Sequence, residues 1–237
     1  MAVFYIDGFN DYKVGQIIEL RAGELFHHLR NVLRIQEGES VKFFNNNLLL
    51  QTKIEIVTKE RIRCIIKNVT PVKLPLPEIN LVQSTIRKEL VEVILRLNVP
   101  FYVRNFIFFK AQRSQFELND KNISRFQKIV LSIAEQSEVC FKPEIKYFKN
   151  LEDVLKELKD SFIITLYPGA QKPLRDFIQG IGNYSVVSMF VGPEGGFTEN
   201  EVDILKSYDA NFVSLKSGIF KSELAGFVAT AILRELI

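Results

Sequence analysis

The sequence contains no tryptophan and only two cysteines, two histidines and two methionines in 237 residues. Cys64 and Cys140 stand far apart with no C-x-x-C pair. A disulfide framework and a cysteine zinc site are therefore not expected, and a reduced, cytoplasmic setting is. His27 and His28 adjoin each other with no cysteine nearby, which argues against zinc and against a histidine-based catalytic triad. No metal is expected. No apolar run reaches the ~18 residues that suggest a membrane-spanning helix. The opening MAVFYIDGFND lacks the basic lead and long apolar stretch of a secretory signal. Neither sign of charge dominates: 31 Lys and Arg against 28 Asp and Glu leave +3, too little by itself to indicate a nucleic-acid partner.

What is present is ordinary for one or two globular domains, with 47% hydrophobic and 25% charged residues. The first 70 residues read mainly as short strands rich in β-branched and aromatic residues: 3–6, 16–20, 41–44, 48–57 and 61–69. One helix interrupts them, because Leu25, Leu29, Val32 and Leu33 recur at helical spacing. Arg30 and Arg34, four apart, are expected to share one face of it. The pattern suggests a small barrel-like domain. Pro71, Pro75 and Pro77 then break any ladder, and a boundary is placed there, giving domains of residues 1–72 and 73–237.

Beyond the boundary, strands and helices alternate. Strands are expected at 79–83, 106–109, 162–166, 186–191 and 212–215. Helices are expected at 87–97, 121–137, 151–158, 199–208 and 222–236. Such alternation with apolar strands implies a mostly parallel sheet covered on both faces. Between Arg104 and Lys128, six cations (Arg104, Lys110, Arg113, Lys121, Arg125 and Lys128) face Glu117 and Asp120. From charge alone the cluster reads as a solvated helix face and loop ahead of a nucleic-acid surface.

The most informative stretch is FVGPEGGFTENE, Phe190 to Glu201. Three glycines within five residues follow an apolar strand, which suits close approach of backbone to a ligand. Thr198 to Glu201 reads as a capping box at a helix start. The spacing fits neither the P-loop nor the dinucleotide fingerprint, so a structural turn stays open beside a ligand loop. Two further loops, YPGA after Leu166 and KSGIFK after Leu215, also follow apolar strands, where α/β sheets place their ligands.

The segment VGPEGGFTENE closely resembles the signature of the ribosomal RNA small subunit methyltransferase E family, the SPOUT-class enzymes that methylate N3 of a uridine in 16S rRNA. HHLRNVLRIQEGESV (27–41), QRS (112–114), FQKIVLSIAEQS (126–137) and SLKSGIFKSE (214–223) agree in the same order. The resemblance implies an α/β fold. Its C-terminal SPOUT domain would be tied in a deep trefoil knot, and its N-terminal domain would be a PUA-like RNA-binding β-barrel. It also implies a homodimer and S-adenosylmethionine as methyl donor. Lys221 and Ser222 stand where the family pattern has Arg and Thr, and lysine keeps the charge but loses the planar fork.

Carried onto this sequence, the resemblance implies a cofactor site of Leu166, Tyr167, Val191, Gly192, Pro193, Gly195, Gly196, Leu215, Ile219 and Phe220. A β-branched residue at Gly195 is expected to intrude on the cofactor. RNA contacts are expected from Arg30, Arg34, Arg113, Arg125 and Lys128, through phosphate and shape. Methyl transfer to N3 requires loss of the N3 proton and stabilisation of charge on the uracil oxygens. Glu194 and Glu223 are the candidate bases, though each also fits a plain helix-start role. Lys221 or Arg113 could instead act electrostatically. A knotted binding protein without transfer, and a methyltransferase acting on another RNA atom, stay open. The last helix is apolar nearly all round, which suggests contact with a second copy of the chain.

Overall fold

The structure, a computed structural model, describes residues 3–8 and 11–237. The chain divides into two compact units: Met1–Lys73 with Ala134–Lys142, and Leu74–Ile133 with Pro143–Ile237. The single cut expected near Pro71 does not include the second stretch of the first unit. Residues 134–142 join it because Glu135 Oε1 accepts the Tyr5 N–H at 3.0 Å, and the Lys142 N–H donates to Asn46 Oδ1 at 3.1 Å.

In the first unit, β1 (Val3–Tyr5), β2 (Ile17–Leu20), β3 (Ser40–Phe44), β4 (Leu48–Val57) and β5 (Ile62–Pro71) form a mixed sheet of order β1-β3-β4-β5-β2. Among the described residues, only the β1–β3 pairing of this sheet is parallel. β4 shows why these residues make a strand. Leu50, Thr52 and Ile54 are buried while Gln51, Lys53 and Glu55 are exposed, the period of two that a half-buried sheet requires. Phe43, Leu50, Ile54, Ile62, Ile66 and Leu29 form the centre of the core.

The helix that interrupts these strands departs from expectation. α1 (Glu24–His27) runs on as one π-helical stretch over His28–Val32, closed by the Leu33 N–H on the His28 carbonyl. The wider winding rotates the later residues off the core face. Leu29 is buried, but Val32 and Leu33 are 65% and 43% exposed. Arg34 lies past the helix with φ 52°, so it does not share a helical face with Arg30.

The second unit is an α/β layer structure. Its strands are β6 (Glu78–Ser84), β7 (Val103–Phe109), β8 (Glu144–Phe148), β9 (Phe162–Leu166), β10 (Val186–Val191) and β11 (Asn211–Val213). They form one sheet, parallel throughout, of order β11-β9-β10-β6-β7-β8. The helices are α2 (Lys88–Asn98), α3 (Asp120–Gln136), α4 (Leu151–Glu157), a short α5 (Ile178–Ile181), α6 (Glu199–Ser207) and α7 (Ser222–Leu236). β8 was not anticipated. It is an edge strand whose sequence EIKYF, behind a proline, carries too much charge to read as an apolar run. α7 packs against α2 and the sheet. A Cβ at Gly226 would stand 2.9 Å from Leu81 Cδ1 and 3.4 Å from Val191 Cγ2, so glycine lets the helix sit directly on β6 and β10. Among the described residues no helix is long and apolar enough to cross a membrane.

Candidate active site

β9, β10 and β11 end side by side, so the three glycine-bearing loops of the sequence emerge at adjacent places on one sheet margin. The first loop is tied to the third. The Tyr167 N–H donates to the Val213 carbonyl at 2.8 Å, and the Leu174 N–H to that of Ser214 at 2.9 Å. In return the Ser214 N–H donates to the Lys172 carbonyl at 3.0 Å.

The second loop is closed by the Gly196 N–H on the Pro193 carbonyl, 2.8 Å, with Gly196 at φ 69°. That left-handed value favours glycine. Its end is the capping box read from the sequence: Thr198 Oγ1 accepts the Glu201 N–H, and Glu201 Oε2 accepts the Thr198 N–H at 2.8 Å. Glu201 does more than cap. Its carboxylate is buried, and Oε1 accepts the Gln112 N–H at 2.8 Å, anchoring the QRS segment to the helix start.

The loops enclose a cleft of about 770 Å³. Leu166, Tyr167 and Pro168 line it from the first loop. Val191, Gly192, Pro193, Glu194, Gly196 and Phe197 line it from the second. The third contributes Ser214, Leu215, Lys216, Gly218, Ile219 and Phe220, leading into Lys221, Ser222 and Glu223, while Arg87, just before α2, and Leu90 of α2 add to it. Its walls are mainly apolar, and Arg87, Lys216, Lys221, Glu194 and Glu223 bring charge to it.

Every expected cofactor residue except Gly195 lines this cleft. Gly195 faces elsewhere. A Cβ there would stand 3.3 Å from Arg113 Cδ, so a side chain at 195 meets Arg113 and not the cleft interior. Of the expected catalytic residues, Glu194, Lys221 and Glu223 line the cleft and Arg113 does not. The Arg113 guanidinium instead donates to the Gly195 carbonyl at 2.6 Å. Arg125 and Lys128 are exposed on α3, where Arg125 pairs with Glu92 at 2.6 Å. Arg30 is half-buried and Arg34 exposed in the first unit.

Sequence reading missed Arg87 and Leu90, and it placed Lys216 and Ser222 on the third loop without assigning either to the site. Arg87 and Leu90 reach the cleft only because β6 pairs beside β10, which no local pattern discloses. Ser222 carried a signal, as the first residue of an apolar helix directly after Lys221. Among the described residues no cluster of three or more His, Cys, Asp or Glu is placed to hold a metal.

The sequence model of the RNA methyltransferase domain matches residues 72–234, most of the chain. The chain belongs to the RNA methyltransferase domain family. A second model, the RNA methyltransferase PUA domain, matches residues 22–67 of this RNA methyltransferase. The ribosomal RNA small subunit methyltransferase E of Aquifex aeolicus is 29% identical over 229 residues, 95% of each chain. A structure from Legionella pneumophila, solved in complex with the bound cofactor SAM, matches with a TM-score of 0.83 at 25% identity, covering 99% of this chain and 97% of that one. The ribosomal RNA small subunit methyltransferase E of Neisseria gonorrhoeae, bound to S-adenosyl methionine, shares the fold with a TM-score of 0.85 at 23% identity, over 100% and 98% of the two chains.

Proposed function

We propose that this RNA methyltransferase uses S-adenosylmethionine to methylate N3 of a uridine in 16S ribosomal RNA of the small subunit. The observation that carries the reading is the cleft built from three adjacent strand-end loops, together with the family to which the chain belongs. The fit to the methyl donor rests on size and chemistry. About 770 Å³ lies within the roughly 300–1,000 Å³ of small-molecule sites, and such sites combine apolar walls with a few polar groups. Leu166, Val191, Leu215, Ile219 and Phe220 would hold the adenine and ribose, and Tyr167, Gly192, Pro193 and Gly196 would close around them. When bound, S-adenosylmethionine supplies an electrophilic methyl group on a sulfonium sulfur.

The chain's own residues then have two tasks. A carboxylate must take the uracil N3 proton, and Glu194 and Glu223 are the two carboxylates that line the cleft. A cation must stabilise charge developing on the uracil oxygens, and Lys221 stands next to Glu223 on the cleft wall. Arg113 serves indirectly, holding the glycine loop through the Gly195 carbonyl. Arg30, Arg34, Arg125 and Lys128 are proposed to meet RNA phosphates, with Arg125 leaving Glu92 to do so.

The reading includes a PUA-like barrel in the first unit, a trefoil knot in the second, a homodimer and a cytoplasmic protein. Strand order supports the knot. β11 lies beyond β9 at the sheet edge, whereas α7 packs over β6 and β10, so residues 214–221 must cross the ends of β9 and β10. Exposed apolar positions at Leu224, Leu236 and Ile219 support a second copy beside α7.

The test is mass spectrometry of 16S rRNA from a strain lacking the gene, with and without its restoration. The expected result is one uridine that loses a base methyl and regains it. A restored methyl on a ribose, or no change in any rRNA nucleotide, would overturn the proposal.

A further inference from the structure

The Gly192–Pro193 peptide has no N–H, because residue 193 is proline. The Gly192 carbonyl is therefore the only hydrogen-bonding group that can fix this peptide plane. It accepts from Ser222 Oγ at 2.6 Å, across from the glycine loop to the first residue of α7. The same Ser222 oxygen accepts from Gln83 Nε2 at 2.9 Å. Gln83 sits at the end of β6, in register with Val191 of β10. Gln83 is 1% exposed and Ser222 8%.

A hydroxyl has one proton, which fixes the direction of the chain of bonds. Ser222 spends its proton on Gly192, so Gln83 must present its NH2 group. The second Gln83 proton goes to the Ser84 carbonyl at 3.2 Å. Among the described residues, Gln83 Oε1 is then left buried without a hydrogen-bond partner. An orphaned buried acceptor is costly and calls for an explanation. The close seating of α7 at Gly226 brings Ser222 within reach.

We propose that Gln83 and Ser222 are positioning residues for methyl transfer. Their relay sets the spacing between the two cleft walls, Gly192 to Glu194 on one side and Lys221 to Glu223 on the other. Gln83 leaves an acceptor unpaired because its amide orientation is dictated by that relay. The inference rests on the proposed function for its catalytic consequence, but the relay itself is tested without any ligand.

Hydrogen exchange in Ser222→Ala should be about tenfold faster at residues 192–197, the scale of one buried hydrogen bond, while β6, β10 and the rest of α7 stay protected. Gln83→Ala should do the same, the double variant should add little, and Ser222→Thr should restore protection. S-adenosylmethionine affinity by calorimetry and kcat should each fall about tenfold in Ser222→Ala, with KM for RNA unchanged. Unchanged exchange at residues 192–197 in Ser222→Ala, or acceleration spread equally over the whole unit, would overturn the relay. A wild-type protein that binds no S-adenosylmethionine would instead overturn the functional reading, and the exchange data would still decide the relay.

Discussion

Replacing Glu201 by glutamine is the sharpest test of how the glycine loop is held. The two carboxylate oxygens have different partners: Oε1 accepts from the Gln112 N–H and Oε2 from the Thr198 N–H, both at 2.8 Å. Glutamine keeps the shape but offers only one acceptor oxygen. Whichever way the amide turns, its NH2 group faces a backbone N–H. One part-buried donor is left without its acceptor and the other loses a charged acceptor. A hydrogen bond to a charged group is worth roughly 1.5–3 kcal/mol and an orphaned donor costs roughly 1–3, so a loss of about 3 kcal/mol is expected. For a chain of this size that corresponds to a fall of about 6–12 °C in the melting temperature, at roughly 2–4 °C per kcal/mol. Thr198→Ala, which removes the cap from the Glu201 N–H, should cost only about 1 kcal/mol. Differential scanning calorimetry of the three proteins is the assay. A Glu201→Gln protein within about 1 °C of the original would refute the reasoning, since losing one such bond and weakening the other must register in the melting temperature.

Gly226→Val should destabilise the second unit by about 2 kcal/mol, because the added carbons meet Leu81 and Val191 in a filled core. Urea unfolding checks this, and an unchanged midpoint would show that α7 does not sit as closely on the sheet as stated. Burial pushes the Cys64 thiol up to about 11, whereas Cys140, whose thiol burial also raises, is only half-buried. Native protein at pH 8 should therefore take an iodoacetamide label at Cys140 and not at the fully buried Cys64, with Cys64 reacting only after unfolding. Mass spectrometry of the labelled protein reads this directly.

Much of the second unit was legible because its central strands are buried on both faces and so appear as near-continuous apolar runs, each broken by a single hydroxyl residue, as in FIITL and VVSMFV. The capping box was legible because both partners lie within four residues. β8 was not, because an edge strand needs few apolar residues. The helix before Ile35 was misread at its end, because periodicity assumes α winding and this one widens to π after His27. The join of residues 134–142 to the first unit depends on contacts between residues distant in sequence, 130 positions for Tyr5 with Glu135 and 96 for Asn46 with Lys142.

The site divides in the same way. The sequence by itself determined the chemical character of the three loops, since glycine, proline and the Thr198–Glu201 cap act through local backbone geometry. Tertiary structure alone decided what those loops face. Strand order set β9, β10 and β11 side by side and brought Arg87 and Leu90 to the same cleft. It turned Gly195 toward Arg113, although the spacing of the three glycines gave no hint that one of them points away. It also joined Gln83 to Ser222 across 139 positions of chain. Local rules fix backbone conformation within a few residues, whereas the partner of a side chain is chosen by which strands pair and how closely a helix packs upon them.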